Sequence, residues 1–185
     1  MAEKGGKVPC PEKPKWLEIA EQEAKRWGGK TEKEISKSFN YHKEVGVNLS
    51  DLEGTDHAWC ASFVNYCLQK ANYAIFSPAC RASAIATDAN FVKIEKPFLG
   101  CIALIGIYHV GFAYAVHATK NIPILLGGNQ SDQINFTAFS ESVTYYLPKN
   151  FKAPDKIVAL SSATTRELNA KFGIIINIKS GENTR

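Results

Sequence analysis

The sequence predicts an α+β domain with N-terminal helices packed on an antiparallel β-sheet. Three observations carry that expectation. Apolar residues recur at helical spacing up to Ala71, and strand-like runs dominate from Cys101 onward. Helices early and strands late give segregated layers. A length of 185 residues, 45% of them hydrophobic and 22% charged, suits one domain with a packed core and excludes global disorder.

The elements follow in order. A basic, Pro-rich arm at residues 1–13 is expected to be flexible. From Lys15, Trp16, Ile19, Ala20, Ala24 and Trp27 share one helical face, and Gly28-Gly29 end the helix. Thr31 to Tyr41 reads as a weaker helix, followed by a polar loop to Gly54. The strongest helix comes next: Thr55 and Asp56 are natural N-caps, with Trp59, Cys60, Phe63, Val64, Cys67, Leu68 and Ala71 at helical spacing. A short helix is expected at Ala82–Ala86. Strands are expected at Cys101–Ile107 and His109–Ala118, joined tightly or as one bent strand. Further strands are expected at Pro123–Leu126, ended by Gly127-Gly128, then Ser142–Leu147, Ile157–Leu160 and Phe172–Ile178. The chain thus divides into the arm, a catalytic domain at 14–149, and a C-terminal β extension at 150–185 packed on the same domain.

Charge and composition exclude several functions. Lys plus Arg number 22 against 18 Asp plus Glu, a net charge of +4. Positive charge is diffuse, and signs alternate from Glu18 to Lys37, so no nucleic-acid partner is expected. No apolar run approaches the ~20 residues of a membrane span, so no membrane insertion is expected. His57-Ala58-Trp59-Cys60 has ligand-like spacing, yet no second pair completes a four-ligand set, and no metal is expected. The first fifteen residues lack the apolar segment of a signal peptide, which implies synthesis in the cytoplasm.

Cys60 and His109 carry the chemistry. Cys60 falls in the first turn of its helix, where unpaired N–H groups and the helix dipole favour a thiolate. Those N–H groups can also receive the oxyanion formed when a thiolate attacks an amide carbonyl. A buried core cysteine is the competing reading for Cys60 alone. In the strand His109–His117, alternation places Val110, Phe112, Tyr114 and Val116 on a core face. His109, Gly111, Ala113, Ala115 and His117 lie on a nearly bare one, against which a helix can approach. His109 and His117 lie ~27 Å apart at strand rise, so one histidine serves; Gly111 beside His109 leaves space for substrate or a helix end. In Leu126-Gly127-Gly128-Asn129-Gln130, the glycine pair allows close approach, and Asn129 or Gln130 can accept the histidine N–H.

Three ordered motifs then resemble a known family. Trp59-Cys60-Ala61-Ser62-Phe63-Val64-Asn65-Tyr66-Cys67-Leu68, His109-Val110-Gly111-Phe112 and Leu126-Gly127-Gly128-Asn129-Gln130 resemble CHAP and NlpC-like peptidoglycan amidases. The subgroup is that of phage lysins and type VI secretion amidase effectors. Pro14-Lys15-Trp16-Leu17-Glu18-Ile19-Ala20 is similar to its first helix, and the likeness covers about residues 14 to 148. Two positions depart: Cys101 stands where the family has Asp, and Tyr108 stands where it has Gly before the histidine.

The resemblance implies a papain-like fold and a cysteine amidase or endopeptidase acting on peptidoglycan stem peptides, without metal or organic cofactor. It implies Cys60 as nucleophile, His109 as general base and then acid, and Asn129 as orienting residue. His57, Trp59, Tyr108 and Gln130 are supporting or substrate-binding candidates, with Tyr108 narrowing the cleft; Arg81, Lys93 and Lys96 are candidates for stem-peptide carboxylates. An effector would act in a target cell's periplasm, delivered by a dedicated secretion system, and meet a cognate immunity protein over its active site. A phage endolysin of the same chemistry and a non-catalytic wall-binding module are the alternatives. With Cys60 free, Cys10, Cys67, Cys80 and Cys101 remain as four cysteines able to pair in three ways.

Overall fold

The computed structural model describes residues 13–153 and 157–176, and shows an open, mainly antiparallel sheet with helices packed against it. Helix α1 (Lys15–Trp27) buries Trp16, Leu17, Ala20, Ala24 and Trp27. Gly28 ends it in the left-handed region, φ 55°, donating its N–H to the Ala24 carbonyl. The weaker helix expected at Thr31–Tyr41 is instead two single turns, α2 (Glu32–Ser36) and α3 (Tyr41–Glu44). The physical reason is two separate N-caps. Thr31 forms a capping box with Glu34, and the Asn40 side chain accepts from His42 and Lys43 N–H.

Helix α4 (Cys60–Lys70) starts later than its expected caps. Thr55 and Asp56 lie in a 3₁₀ turn, Thr55–His57, and Trp59 occupies the N-cap without a side-chain hydrogen bond. A second 3₁₀ turn fills Ala82–Ala86. The strands are β1 (Phe91–Ile94), β2 (Ile102–Ile105), β3 (His109–His117), β4 (Pro123–Gln130), β5 (Gln133–Ala138), β6 (Val143–Pro148) and β7 (Ser161–Ala163). The sheet order is β1-β6-β2-β3-β4-β5, with β7 parallel to β3 and every other pairing antiparallel. Strands β2 and β3 form a tight hairpin, Ile105 opposite His109.

Three strand expectations need correction. Strand β4 does not stop at Leu126 but runs through both glycines to Gln130, because its backbone keeps pairing with β5. Strands β1 and β5 have no counterpart in the expected list. The C-terminal extension is not purely β: Ile157–Leu160 is irregular, and helix α5 (Thr165–Lys171) follows β7, started by a Thr164–Glu167 capping box. The expected strand at Phe172–Ile178 is absent through residue 176; its last two positions, like the arm at 1–12, lie outside the described residues.

Two apolar layers cover the sheet. The larger joins Trp16, Leu17, Trp59, Phe63, Leu68, Phe112 and Phe136 between helices and sheet. The smaller, on the other face, joins Phe98, Cys101, Ala103, Ile105, Ala113 and Leu125. Helix α4 packs on the Phe112 side, Phe63 and Phe112 lying 6.4 Å apart between ring centroids. It does not cover the bare face on which His109 was expected to meet a helix. The pair meets instead where α4 begins, beside the β2–β3 turn.

Candidate active site

Cys60 is the first residue of α4, and it is buried. Because Trp59 offers no capping side chain, the first-turn N–H groups stay available to an anion. The Cys60 thiol lies 4.0 Å from the Tyr108 carbonyl, and His109 is near enough to act on it by charge and hydrogen bonding. Burial pushes this thiol up. The His109 charge and hydrogen bond, with the N–H groups of Val110 and Ala61, outweigh burial and bring it below the ordinary cysteine value.

His109 opens β3, and its other nitrogen is fixed by an amide. Nε2 lies 3.0 Å from Gln130 Oε1. Gln130 Nε2 donates to the Asn135 carbonyl at 2.6 Å and to Asn135 Oδ1 at 3.1 Å, so the oxygen of Gln130 must face the imidazole. The network therefore assigns the proton to Nε2 and leaves Nδ1 for Cys60. Asn135 is itself held, its Nδ2 donating to the Gln130 carbonyl at 2.7 Å and its Oδ1 accepting from Thr137 at 2.8 Å. Phe139 stacks on the imidazole, ring centroids 5.0 Å apart. Burial pulls His109 down, but the Cys60 charge and hydrogen bond, Gln130 and Glu141 leave it above the ordinary histidine value. Both shifts favour a thiolate–imidazolium pair.

The orienting role thus passes from Asn129 to Gln130, and the cause is a β-bulge. Gly127 faces His109, and simple alternation would put Asn129 on the same side. The register shifts by one between Gly127 and Gln130, Asn129 adopts φ 55°, and the extra residue brings Gln130 to that side. The glycines make room. A Cβ on Gly127 would stand 2.6 Å from Gln130 Oε1, and one on Gly128 would stand 2.6 Å from the Trp59 ring and 2.8 Å from Phe63 Cβ. Gly111 does not leave space for substrate: its missing Cβ admits the β4 backbone, 3.1 Å from the Leu126 carbonyl.

The remaining candidates sort by what they touch. Trp59 is fully buried, stacked 5.5 Å from Tyr41, with its Nε1 donating to Glu32 at 3.3 Å, and it seats the start of α4. His57 is partly exposed and bound to Asp51, Nδ1 to Oδ1 2.6 Å. Tyr108 stands exposed at the rim, its hydroxyl donating to Glu141 at 2.9 Å. Arg81, Lys93 and Lys96 are exposed, and the side-chain charge acting on His109 from the rim is that of Glu141.

Sequence reasoning missed Asn135, Thr137, Phe139, Glu141 and His42. His42 is buried, its Nε2 3.0 Å from the His57 carbonyl and its Nδ1 2.8 Å from Ser62 Oγ. A neutral ring donating from Nε2 and accepting at Nδ1 satisfies both contacts, and burial lowers its pKa accordingly. It ties the loop before Cys60 to α4. The alternation of polar Gln133, Asn135 and Thr137 was the legible sign that one face of β5 carries a polar network.

Cys60, Cys67, Cys80 and Cys101 are all free thiols, and Cys10 lies outside the described residues. Among the described residues no cluster of three or more His, Cys, Asp or Glu is placed to hold a metal ion. No helix among them is long and apolar enough to cross a membrane. Compared with protein-family models, curated proteins and solved structures, the chain matches none.

Proposed function

We propose that this protein is a papain-like cysteine amidase that cleaves an amide bond of bacterial peptidoglycan. The observation carrying the chemistry is the Cys60–His109–Gln130 relay, with a nucleophile at a helix N-terminus and a base whose tautomer is set by a third group. His109 Nδ1 takes the thiol proton, and the Cys60 sulfur attacks the carbonyl carbon. The Cys60 N–H stabilises the oxygen that becomes negative. His109 returns the proton to the departing amine, and water then hydrolyses the thioester. No step requires a metal or organic cofactor.

The substrate class rests on the resemblance of the three motifs to CHAP and NlpC-like amidases. The effector subgroup adds a setting: delivery to the periplasm of a target cell, and an immunity protein that covers Cys60. Purified walls from Gram-negative and Gram-positive bacteria, digested and read by mass spectrometry, test the reading. A new free amine on alanine, diaminopimelate or the cross-bridge identifies the bond. Cys60→Ala should release nothing; digestion retained by that variant, or absent from the native protein, overturns the proposal.

A further inference from the structure

The rim of the site carries a charge that neither gives nor takes a proton in the hydrolytic steps. Tyr108 sits in the β2–β3 turn, its carbonyl against the Cys60 thiol and the residue 51% exposed. Ile107 beside it is 76% exposed. Glu141 lies just before β6 and receives the Tyr108 hydroxyl at 2.9 Å. Two backbone features hold these turns together: Ile105 pairs with Val143, and Gly106 N–H donates to the Ser142 carbonyl at 2.9 Å. Gly106 has no Cβ to disturb the Tyr108 ring, which would lie 3.1 Å from one. An ionised carboxylate and a half-exposed tyrosine, hydrogen-bonded to each other, therefore stand on the turn whose Tyr108 carbonyl meets the Cys60 thiol.

We propose that Tyr108 and Glu141 form a recognition site for an ammonium group, so that the enzyme prefers amides bearing a free amine close to the scissile bond. This rests on the hydrolase reading and adds substrate charge to it. An ammonium group gains from the carboxylate by charge and from the tyrosine face by cation–π attraction. The Glu141 carboxylate accepts N–H groups from its own backbone and from Ser140, besides the Tyr108 hydroxyl, and these keep it ionised below the ordinary glutamate range. Beside a Cys60–His109 pair that is neutral as a unit, the Glu141 carboxylate repels a substrate carboxylate.

The test has two arms. Cys60 is modified with cationic (trimethylammonium-ethyl), neutral (methyl) and anionic (sulfonatoethyl) methanethiosulfonates, followed by peptide mass spectrometry. The cationic-to-anionic rate ratio should fall about tenfold in Glu141→Gln, and shrink in the native protein as salt rises. Tyr108→Phe, which keeps the ring, should lower it about two- to threefold. The neutral reagent corrects for any change in thiolate population. In the second arm, a wall peptide with a free amine should be cut about tenfold faster, in kcat/KM, than its N-acetylated form, and Glu141→Gln should abolish the preference. A reagent ratio unchanged in Glu141→Gln, or equal cleavage of both peptides by the native protein, overturns the recognition site. The reagent ratio needs no turnover, so walls untouched by every variant overturn the hydrolase reading alone.

Discussion

At the scale of single residues, the site depends on which amide faces His109. Gln130→Ala removes the only side-chain oxygen that holds Nε2–H among the described contacts, whereas Asn129→Ala leaves that contact intact. Gln130→Ala should lower kcat on the order of 10²-fold, less than the ~10⁴-fold seen when an orienting carboxylate is lost, because a neutral amide stabilises imidazolium less. Asn129→Ala should stay within about twofold; equal losses in the two variants would contradict the bulge assignment. The thiols differ as sharply. Burial and the Glu23 charge raise Cys67, and burial pushes Cys101 up to about 12. Cys60 should therefore react with iodoacetamide at neutral pH while those two do not. The pH profile of kcat/KM should rise as Cys60 ionises, below the usual thiol value, and fall as His109 deprotonates, above the usual imidazole value. An acid limb at the ordinary cysteine pKa would show that the pair does not form.

At the scale of elements, the two glycines of β4 serve different neighbours, and substitution separates them. A Cβ at Gly127 meets the amide end of Gln130, so Gly127→Ala should lower activity by pushing that amide off His109, read as a fall in kcat. A Cβ at Gly128 meets the Trp59 ring and the backbone-anchored Cβ of Phe63, so Gly128→Ala should cost about 1–3 kcal/mol of stability by overpacking, read by thermal or chemical denaturation. This is also where sequence and structure part company. The helices α1 and α4, the hairpin containing His109 and the need for glycine at 127 and 128 were legible, since periodicity and steric demand are local. The choice between Asn129 and Gln130 was not, because one extra residue in a bulge reverses the face of all that follows. Strand β1 was too short to show alternation. Helix α5 escaped because the apolar run expected as a strand begins at Phe172, just past its end; the Thr164–Glu167 capping box was its overlooked signature. That helix finishes the sheet. Asn169 accepts from the Phe136 N–H and donates to the Phe136 carbonyl, both at 2.9 Å, occupying the outer edge of β5.

At the scale of the whole molecule, a buried neutral histidine links stability to acidity. Because burial depresses His42, the unfolded chain takes up its proton first as pH falls, near the ordinary value of ~6.5. Its contribution to stability is complete above that value and declines below it. His42→Gln should lower the midpoint temperature at pH 7.5, and shrink its further drop between pH 7.5 and 5.5 relative to the native protein. An identical pH slope in both would show that His42 is not the group responsible. The site has a temporal side as well. Cys60, His109 and Gln130 come from a helix, a hairpin and a bulged strand, and the Gln130 clamp leads through Asn135 to Gln133, whose amide reaches the Ile175 carbonyl. The nucleophile is thus assembled from contacts far apart in the chain, the kind that form late in folding. A partly folded molecule holds an ordinary, sluggish thiol, and the activated form of Cys60 arises only when the last contacts close.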